Sequence, residues 1–131
     1  VQLKILIAED DPVSRKMVAA VLENKGYEVI QAADGEEAWS VMQRSDAPKM
    51  LVLDWNMPKM DGLELVRRIR HRPFPFPPYI IMLTVNRENS DVMQAMDAQV
   101  NDYLIKPFQP EELLHCIHDG QEMLDLRNST L

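Results

Sequence analysis

Apolar residues along this chain fall into two alternating patterns. Leu3-Lys4-Ile5-Leu6-Ile7-Ala8 is a short, nearly continuous apolar run, and residues 27–32, 50–54, 79–84 and 102–105 read in the same way. Runs of this length, rich in Val, Ile and Leu, predict strands buried on both faces. Between them the apolar positions recur at helical spacing. Val13, Met17, Ala20 and Val21 mark a first helix over 13–25, with Gly26 free to turn left-handed as its stop. Ala38, Val41 and Met42 form the stripe of a second helix, opened by Asp34-Gly35-Glu36-Glu37 with a capping-box pattern. Leu63, Leu65, Val66 and Ile69 mark a third, and Val92, Ala95 and Met96 a fourth over residues 89–98. Pro110 starts a last helix carrying Leu113, Leu114, Ile117 and Leu124. The proline-rich stretch 72–78 must be a loop, because each proline removes a donor and fixes φ. Five strands alternating with five helices predict an α/β, doubly wound five-stranded parallel sheet with helices on both faces.

Composition narrows the picture. A length of 131 residues, 46% hydrophobic and 27% charged, fits one domain. The formal net charge of -7, with the basic residues scattered, argues against a direct nucleic-acid surface. One cysteine, Cys116, excludes an internal disulfide and a thiolate zinc site, and is compatible with a reducing cytosol. No apolar run or leader pattern predicts a membrane span or an export address. The chain begins with Val1 rather than Met, as a fragment of a longer chain would.

Candidate chemistry sits where the strands end. In a parallel sheet Glu9, Asp10, Asp54, Thr84 and Lys106 all fall at the carboxyl ends of strands one, three, four and five, on one rim, where ligands bind in open α/β sheets. Taken singly, each has a bland reading as a turn, cap or solvated charge. Together, three carboxylates within a few ångströms repel by several kcal/mol at an effective dielectric of about 20, so the site should hold protons or a cation. Hard oxygen donors favour Mg2+. Lys106 and Thr84 are then the groups wanted around a phosphoryl group, and Asp54 is free to act as a nucleophile that forms an aspartyl phosphate. His71 lies among arginines, and Cys116 and the nine methionines read as packing residues. His115 and His118, three apart on one helix, would bind a metal only with a third ligand that this reading does not find.

Glu9-Asp10, the segment Asp54-Trp55-Asn56-Met57-Pro58-Lys59-Met60-Asp61-Gly62, Thr84, and Tyr103-Leu104-Ile105-Lys106-Pro107-Phe108 resemble the receiver domain of two-component response regulators, across residues 3–120. The third-strand segment is especially similar to the chemotaxis receiver. The resemblance implies a flavodoxin-like sheet of order 2-1-3-4-5 and a regulatory phosphoacceptor that catalyses only its own phosphorylation and dephosphorylation. The phosphoryl group would come from a sensor histidine kinase or phosphotransfer protein onto Asp54. Asp10, Asp54 and the backbone carbonyl of Asn56 would hold Mg2+, with Glu9 acting through water. Lys106 would pair with the phosphoryl group, its bond to Pro107 would be cis, and Thr84 with Tyr103 would form the switch. Residues 1–120 would be the receiver, and 121–131 an extension of the last helix leading to an effector domain, with a homodimer through helix four, strand five and helix five as a further option. A cytoplasmic location follows from the same resemblance.

The chain departs from the family at several points. Val85 stands where a very small residue is usual, which predicts a narrower path to Asp54, and Asn86 occupies a position that tunes attacking water. Gln99-Val100-Asn101 leaves the exit of helix four without its expected left-handed glycine. Three rival readings make different demands on these residues. A haloacid-dehalogenase-like phosphohydrolase needs a second Asp two residues beyond the nucleophile, where this chain has Asn56. A flavodoxin-like redox module needs a phosphate-cradling loop after strand one, where this chain has acids. A degenerate receiver acting purely as an interaction module would not need its acidic, Thr and Lys positions intact.

Overall fold

The run-and-stripe pattern is realised in a computed structural model that describes residues 3–129 apart from Pro75. In chain order the elements are β1 (Lys4–Ala8), α1 (Pro12–Asn24), β2 (Glu28–Ala32), α2 (Gly35–Met42), β3 (Met50–Asp54), α3 (Gly62–His71), β4 (Tyr79–Thr84), α4 (Asn89–Asp97), β5 (Asp102–Ile105) and α5 (Pro110–Ser129). The strands are all parallel and lie in the order β2-β1-β3-β4-β5. The fold expected from the sequence is the fold observed. The extension of the last helix reaches Ser129, and Thr130 and Leu131 lie outside the described residues.

Successive strand residues point to opposite faces, so a continuous apolar run supplies two cores at once. Leu6, Leu51, Leu53, Ile80 and Met82 face α2, α3 and α4, meeting Ala38, Met42, Leu65, Val66, Ile69 and Ala95. Ile5, Ile7, Val52, Ile81 and Leu83 face α1 and α5, meeting Val18, Ala19, Leu22, Leu113, Ile117 and Leu124. This explains why β3 and β4 are buried from end to end.

Three aspartates set the helix entries. Asp11 accepts from the Ser14 amide at 2.9 Å, Asp34 from Glu37 at 2.8 Å and Asp61 from Glu64 at 2.8 Å, each satisfying an otherwise unpaired N–H of the first turn. At α5 the reciprocal half of a capping box is present, with the Gln109 amide donating to Glu112 Oε1 at 2.9 Å. Gly62 allows α3 to start against the strand end: a Cβ there would lie 2.5 Å from the Asp54 carbonyl oxygen.

Two helices differ from their sequence reading. On α1 the spacing of Val13, Met17, Ala20 and Val21 marks the outward face; Val13 is 66% and Met17 63% exposed, while Val18, Ala19 and Leu22 reach the core. This helix is apolar on two sides, and only packing on the sheet decides which side turns in. On α4, Ala95 is buried but Met96 is 48% exposed. Methionine is therefore not uniformly core material. Met42, Met50, Met57, Met60 and Met82 are buried, whereas Met17, Met93, Met96 and Met123 lie on the surface of α1, α4 and α5.

Candidate functional site

The charged residues buried among those described are Glu9 and Asp54, and Thr84 is fully buried beside them. All three stand at carboxyl ends of neighbouring strands. Register brings them together: Ala8, the residue before Glu9, pairs with Leu53, the residue before Asp54, and Asp54 pairs with Leu83, the residue before Thr84. Thr84 in turn pairs with Ile105, the residue before Lys106.

Lys106 is the cation that holds this group. Its Nζ lies 2.8 Å from Glu9 Oε1 and 3.2 Å from Asp54 Oδ1. Carboxylate oxygens of Glu9, Asp10 and Asp54 all come within 4.8 Å of one another, with Asp10 exposed at the mouth. Three anions therefore face one ammonium. Burial pushes the Glu9 carboxyl above its ordinary value, the adjoining Asp54 pushes it further, and Lys106 only partly offsets this. For Lys106, burial works against the charge, but the hydrogen bond to Glu9 and the charge of Asp54 outweigh it and hold the ammonium above its ordinary value. A site with surplus negative charge and only oxygen donors on its acidic side suits a hard divalent cation such as Mg2+. Asn56 lies exposed in the turn two residues beyond Asp54.

The Lys106 backbone is held as firmly as its side chain. Its amide donates to the Thr84 carbonyl at 2.8 Å, its own carbonyl accepts from Arg87 Nη2 at 3.1 Å, and the Lys106–Pro107 bond is cis, as the resemblance implied. Thr84 Oγ1 accepts from the Asn86 amide at 3.0 Å, and the Tyr103 hydroxyl donates to the Asn86 carbonyl at 2.8 Å. Thr84, Asn86 and Tyr103 thus form one linked group, and the Trp55 and Tyr103 rings stand perpendicular, edge to face, with their centroids 6.4 Å apart. Burial raises the Tyr103 hydroxyl above its ordinary value, so it remains a donor at neutral pH.

Val85 is 58% exposed and lines a groove of about 680 Å3 together with Met17, Val21, Phe108 and Pro110, with Glu9 and Lys106 at its end. The outward face of α1 therefore runs into the acidic rim. Sequence reasoning missed this groove, and it missed Arg15, whose Nη1 donates to the Glu9 carbonyl at 2.8 Å, and Arg87. Nothing marks those two arginines in advance, because their acceptors are backbone carbonyls available anywhere. The proline-rich loop resolves into two different aromatic positions: Phe74 is half-buried against the core with Arg72 over its ring, while Phe76 is 41% exposed beneath Lys49.

Residues 5–118 match the family described as response regulator receiver domain. The chain is 36% identical over 118 residues to a chemotaxis protein CheY homolog of Campylobacter jejuni, covering 89% of this chain and 91% of that one. It is 39% identical over 114 residues to chemotaxis protein CheY1 of Helicobacter pylori, covering 85% and 90%. Among solved structures, Vibrio cholerae chemotaxis protein CheY4 superposes with a TM-score of 0.84 at 33% identity, over 92% of this chain and 99% of that one. A probable two-component response regulator/GGDEF domain protein gives 0.87 at 29% identity, over 95% of this chain and 51% of that one. The buried acidic rim with its lysine, the sheet order and these matches agree: the chain belongs to the response regulator receiver domain family of two-component signalling, as a chemotaxis-receiver-like phosphoacceptor domain.

Proposed function

We propose that Asp54 is the phosphoacceptor, taking a phosphoryl group from a phosphohistidine of a sensor kinase or phosphotransfer protein. The observation that carries this is the placement of Asp54, buried and accepting from Lys106 at 3.2 Å, among acids whose surplus charge calls for a cation. An Asp54 carboxylate oxygen attacks phosphorus; the new P–O bond forms as the P–N bond breaks, and its electron pair returns to the donor imidazole, which takes up a proton. Lys106 stays in place to pair with the transferred oxygens, and the Thr84 hydroxyl supplies a second donor. Glu9, Asp10, Asp54 and the carbonyl of Asn56 would hold Mg2+, which when bound neutralises the acids and polarises the phosphoryl group.

Phosphorylation adds negative charge at the rim and draws Thr84 towards it. Because Thr84, Asn86 and Tyr103 are hydrogen-bonded in series, that movement reaches α4, β5 and α5 as a changed binding surface. The exposed Met93 and Met96 suit this surface for an effector or a second copy. The groove between α1 and α5 places an apolar contact beside the acids, where a protein donor would dock. Residues 1–120 form the receiver, 121–131 lead towards an effector domain in a longer cytoplasmic protein, and Val85 with Asn86 sets access to the acyl phosphate.

Intact-mass measurement after treatment with acetyl phosphate and Mg2+ tests the reading. The wild type should gain one phosphoryl group and Asp54→Asn none. No adduct on the wild type would leave a phosphorylation-independent interaction module. In the same assay Val85→Ala should take up phosphoryl faster, and an unchanged rate removes Val85 from the gate.

A further inference from the structure

The outward face of α5 carries a second set of metal-ligating side chains. His118, Asp119 and Glu122 each offer a donor atom, and all three atoms lie within 4.8 Å of one another. His115 stands one turn before Asp119, its Nε2 3.5 Å from Asp119 Oδ2, and His118 Nε2 is 3.8 Å from Glu122 Oε1. On a helix of 3.6 residues per turn these four positions span roughly a 100° arc, opposite the stripe that packs on the sheet. The helix beneath is anchored by buried Leu113, Cys116, Ile117 and Leu124, so the donors project from a rigid rod rather than a loop. His115 and His118 lack a third ligand only while the helix is read as a string. Folded, i,i+3 and i,i+4 spacing brings Asp119 and Glu122 to them.

We infer that this face of α5 binds a transition-metal dication of the Zn2+, Ni2+ or Co2+ class. The donor chemistry separates it from the rim. Glu9, Asp10 and Asp54 offer oxygen alone, which suits Mg2+; the α5 set mixes imidazole nitrogen with carboxylate, which Mg2+ binds poorly and Zn2+, Ni2+ or Co2+ binds well. His118, Asp119 and Glu122 are the ligands, and His115 orients Asp119 from the preceding turn. Ordinary helix-surface ion pairing would hold the same side chains in place, but it has no preference among cations. The bound ion would tie residues 118 and 122 across one turn and stiffen the helix that leads out of the domain.

The test is Zn2+ titration calorimetry of the whole chain with Mg2+ in large excess, so that the rim is filled. One ion should bind saturably, and His118→Gln or Glu122→Gln should each weaken it about tenfold or more. Both side chains are largely exposed, 66% and 65%, so neither change should disturb folding. Substoichiometric Co2+ should broaden the imidazole proton resonances of His115 and His118 and leave His71, on α3, sharp. Binding unaltered in both variants, equal broadening of all three histidines, or no saturable heat would each overturn the inference. The two sites share no residue, so these results are independent of whether Asp54 accepts phosphoryl.

Discussion

The two ends of the parallel sheet handle buried charge in opposite ways. At the carboxyl end, Glu9, Asp54 and Lys106 balance one another, and burial first, with the adjoining Asp54 after it, holds Glu9 above its ordinary pKa. At the amino end Arg70 is half-buried among neutral acceptors. Its guanidinium donates to the carbonyls of Gln99 at 2.9 Å and Pro78 at 2.8 Å and to Asn101 Oδ1 at 2.8 Å, while Asn101 Oδ1 also accepts from the Ile80 amide at 2.7 Å. Neutral carbonyls fixed by the backbone have one arrangement, so they form a lock joining α3, β4 and the α4–β5 turn. Opposed charges can exchange one partner for another, so the same degree of burial gives a site that accepts an incoming ion or phosphoryl group. A buried charge is thus a functional signal when its partners are themselves charged and in surplus.

Substitution at each end should separate the two roles. Lys106→Ala should lower the rate of phosphoryl uptake from acetyl phosphate by about two orders of magnitude, the cost of removing a fixed donor to developing negative charge. Stopped-flow or mass measurement of uptake reads this directly. Arg70→Ala should do the reverse, destabilising the domain by about 2–3 kcal/mol through three lost charge-assisted hydrogen bonds, as read by urea unfolding, with uptake unchanged. If Arg70→Ala abolished uptake at unchanged stability, the division between lock and site would fail.

Much of the carboxyl end was legible in the sequence, and much of the amino end was not. Asp54, Glu9, Thr84 and Lys106 could be placed together because each directly follows a run of strand residues, and parallel pairing sends every such end to one rim. Arg70 could not be placed. Its neighbours Arg67, Arg68 and Arg72 look identical to it in a list of residues, and two of its three acceptors are main-chain oxygens. Helix faces were legible where one side is clearly polar, as on α3. On α1 both sides are apolar, and the outward stripe of Val13 and Met17 was the easier one to see. Trp55 against Tyr103 and the His–carboxylate face of α5 required contacts across elements or turns that linear order hides.

The charge balance at the rim predicts a pH dependence of stability in Mg2+-free buffer. Glu9 is held above its ordinary value of 4.5, so the folded state binds that proton more tightly than the unfolded chain. Stability should therefore fall as pH rises from about 4.5 through the raised Glu9 value, because ionising the folded state costs more than ionising the unfolded one. Lys106 adds nothing in this window, since its raised value lies above 10.5 and its contribution is lost only in strong alkali. Urea midpoints measured across mildly acidic pH should show this decline for the wild type and a flatter profile for Glu9→Gln. A parallel pair of profiles would remove Glu9 as the strained member of the cluster. Added Mg2+ should flatten the wild-type profile in the same way, since it stabilises the ionised acids.

The smallest effect tests how the lock holds α4. Two helices end in the same hydrogen-bond pattern. At α1 the Gly26 amide donates to Glu23 and the Tyr27 amide to Leu22; at α4 the Gln99 amide donates to Met96 and the Val100 amide to Ala95. Both closures need a left-handed residue, Gly26 at φ 91° and Gln99 at φ 74°. Glycine adopts that conformation freely, whereas glutamine is strained there by roughly 1–2 kcal/mol. The glycine missing at this exit is thus replaced by a strained residue, with Arg70 gripping its carbonyl and Val100 buried beside Ala95. Gln99→Gly should relieve the strain, and after the larger entropy of the unfolded glycine chain is subtracted it should stabilise the domain by about 0.5 kcal/mol. Arg70 bonds the backbone oxygen, so that contact survives the change. In an Arg70→Ala background the gain from Gln99→Gly should be smaller, because without the grip Gln99 can leave the left-handed conformation and shed the strain by itself. Equal gains in the two backgrounds would mean that the Schellman-type bonds alone hold Gln99 left-handed, and that Arg70 locks only Pro78 and Asn101.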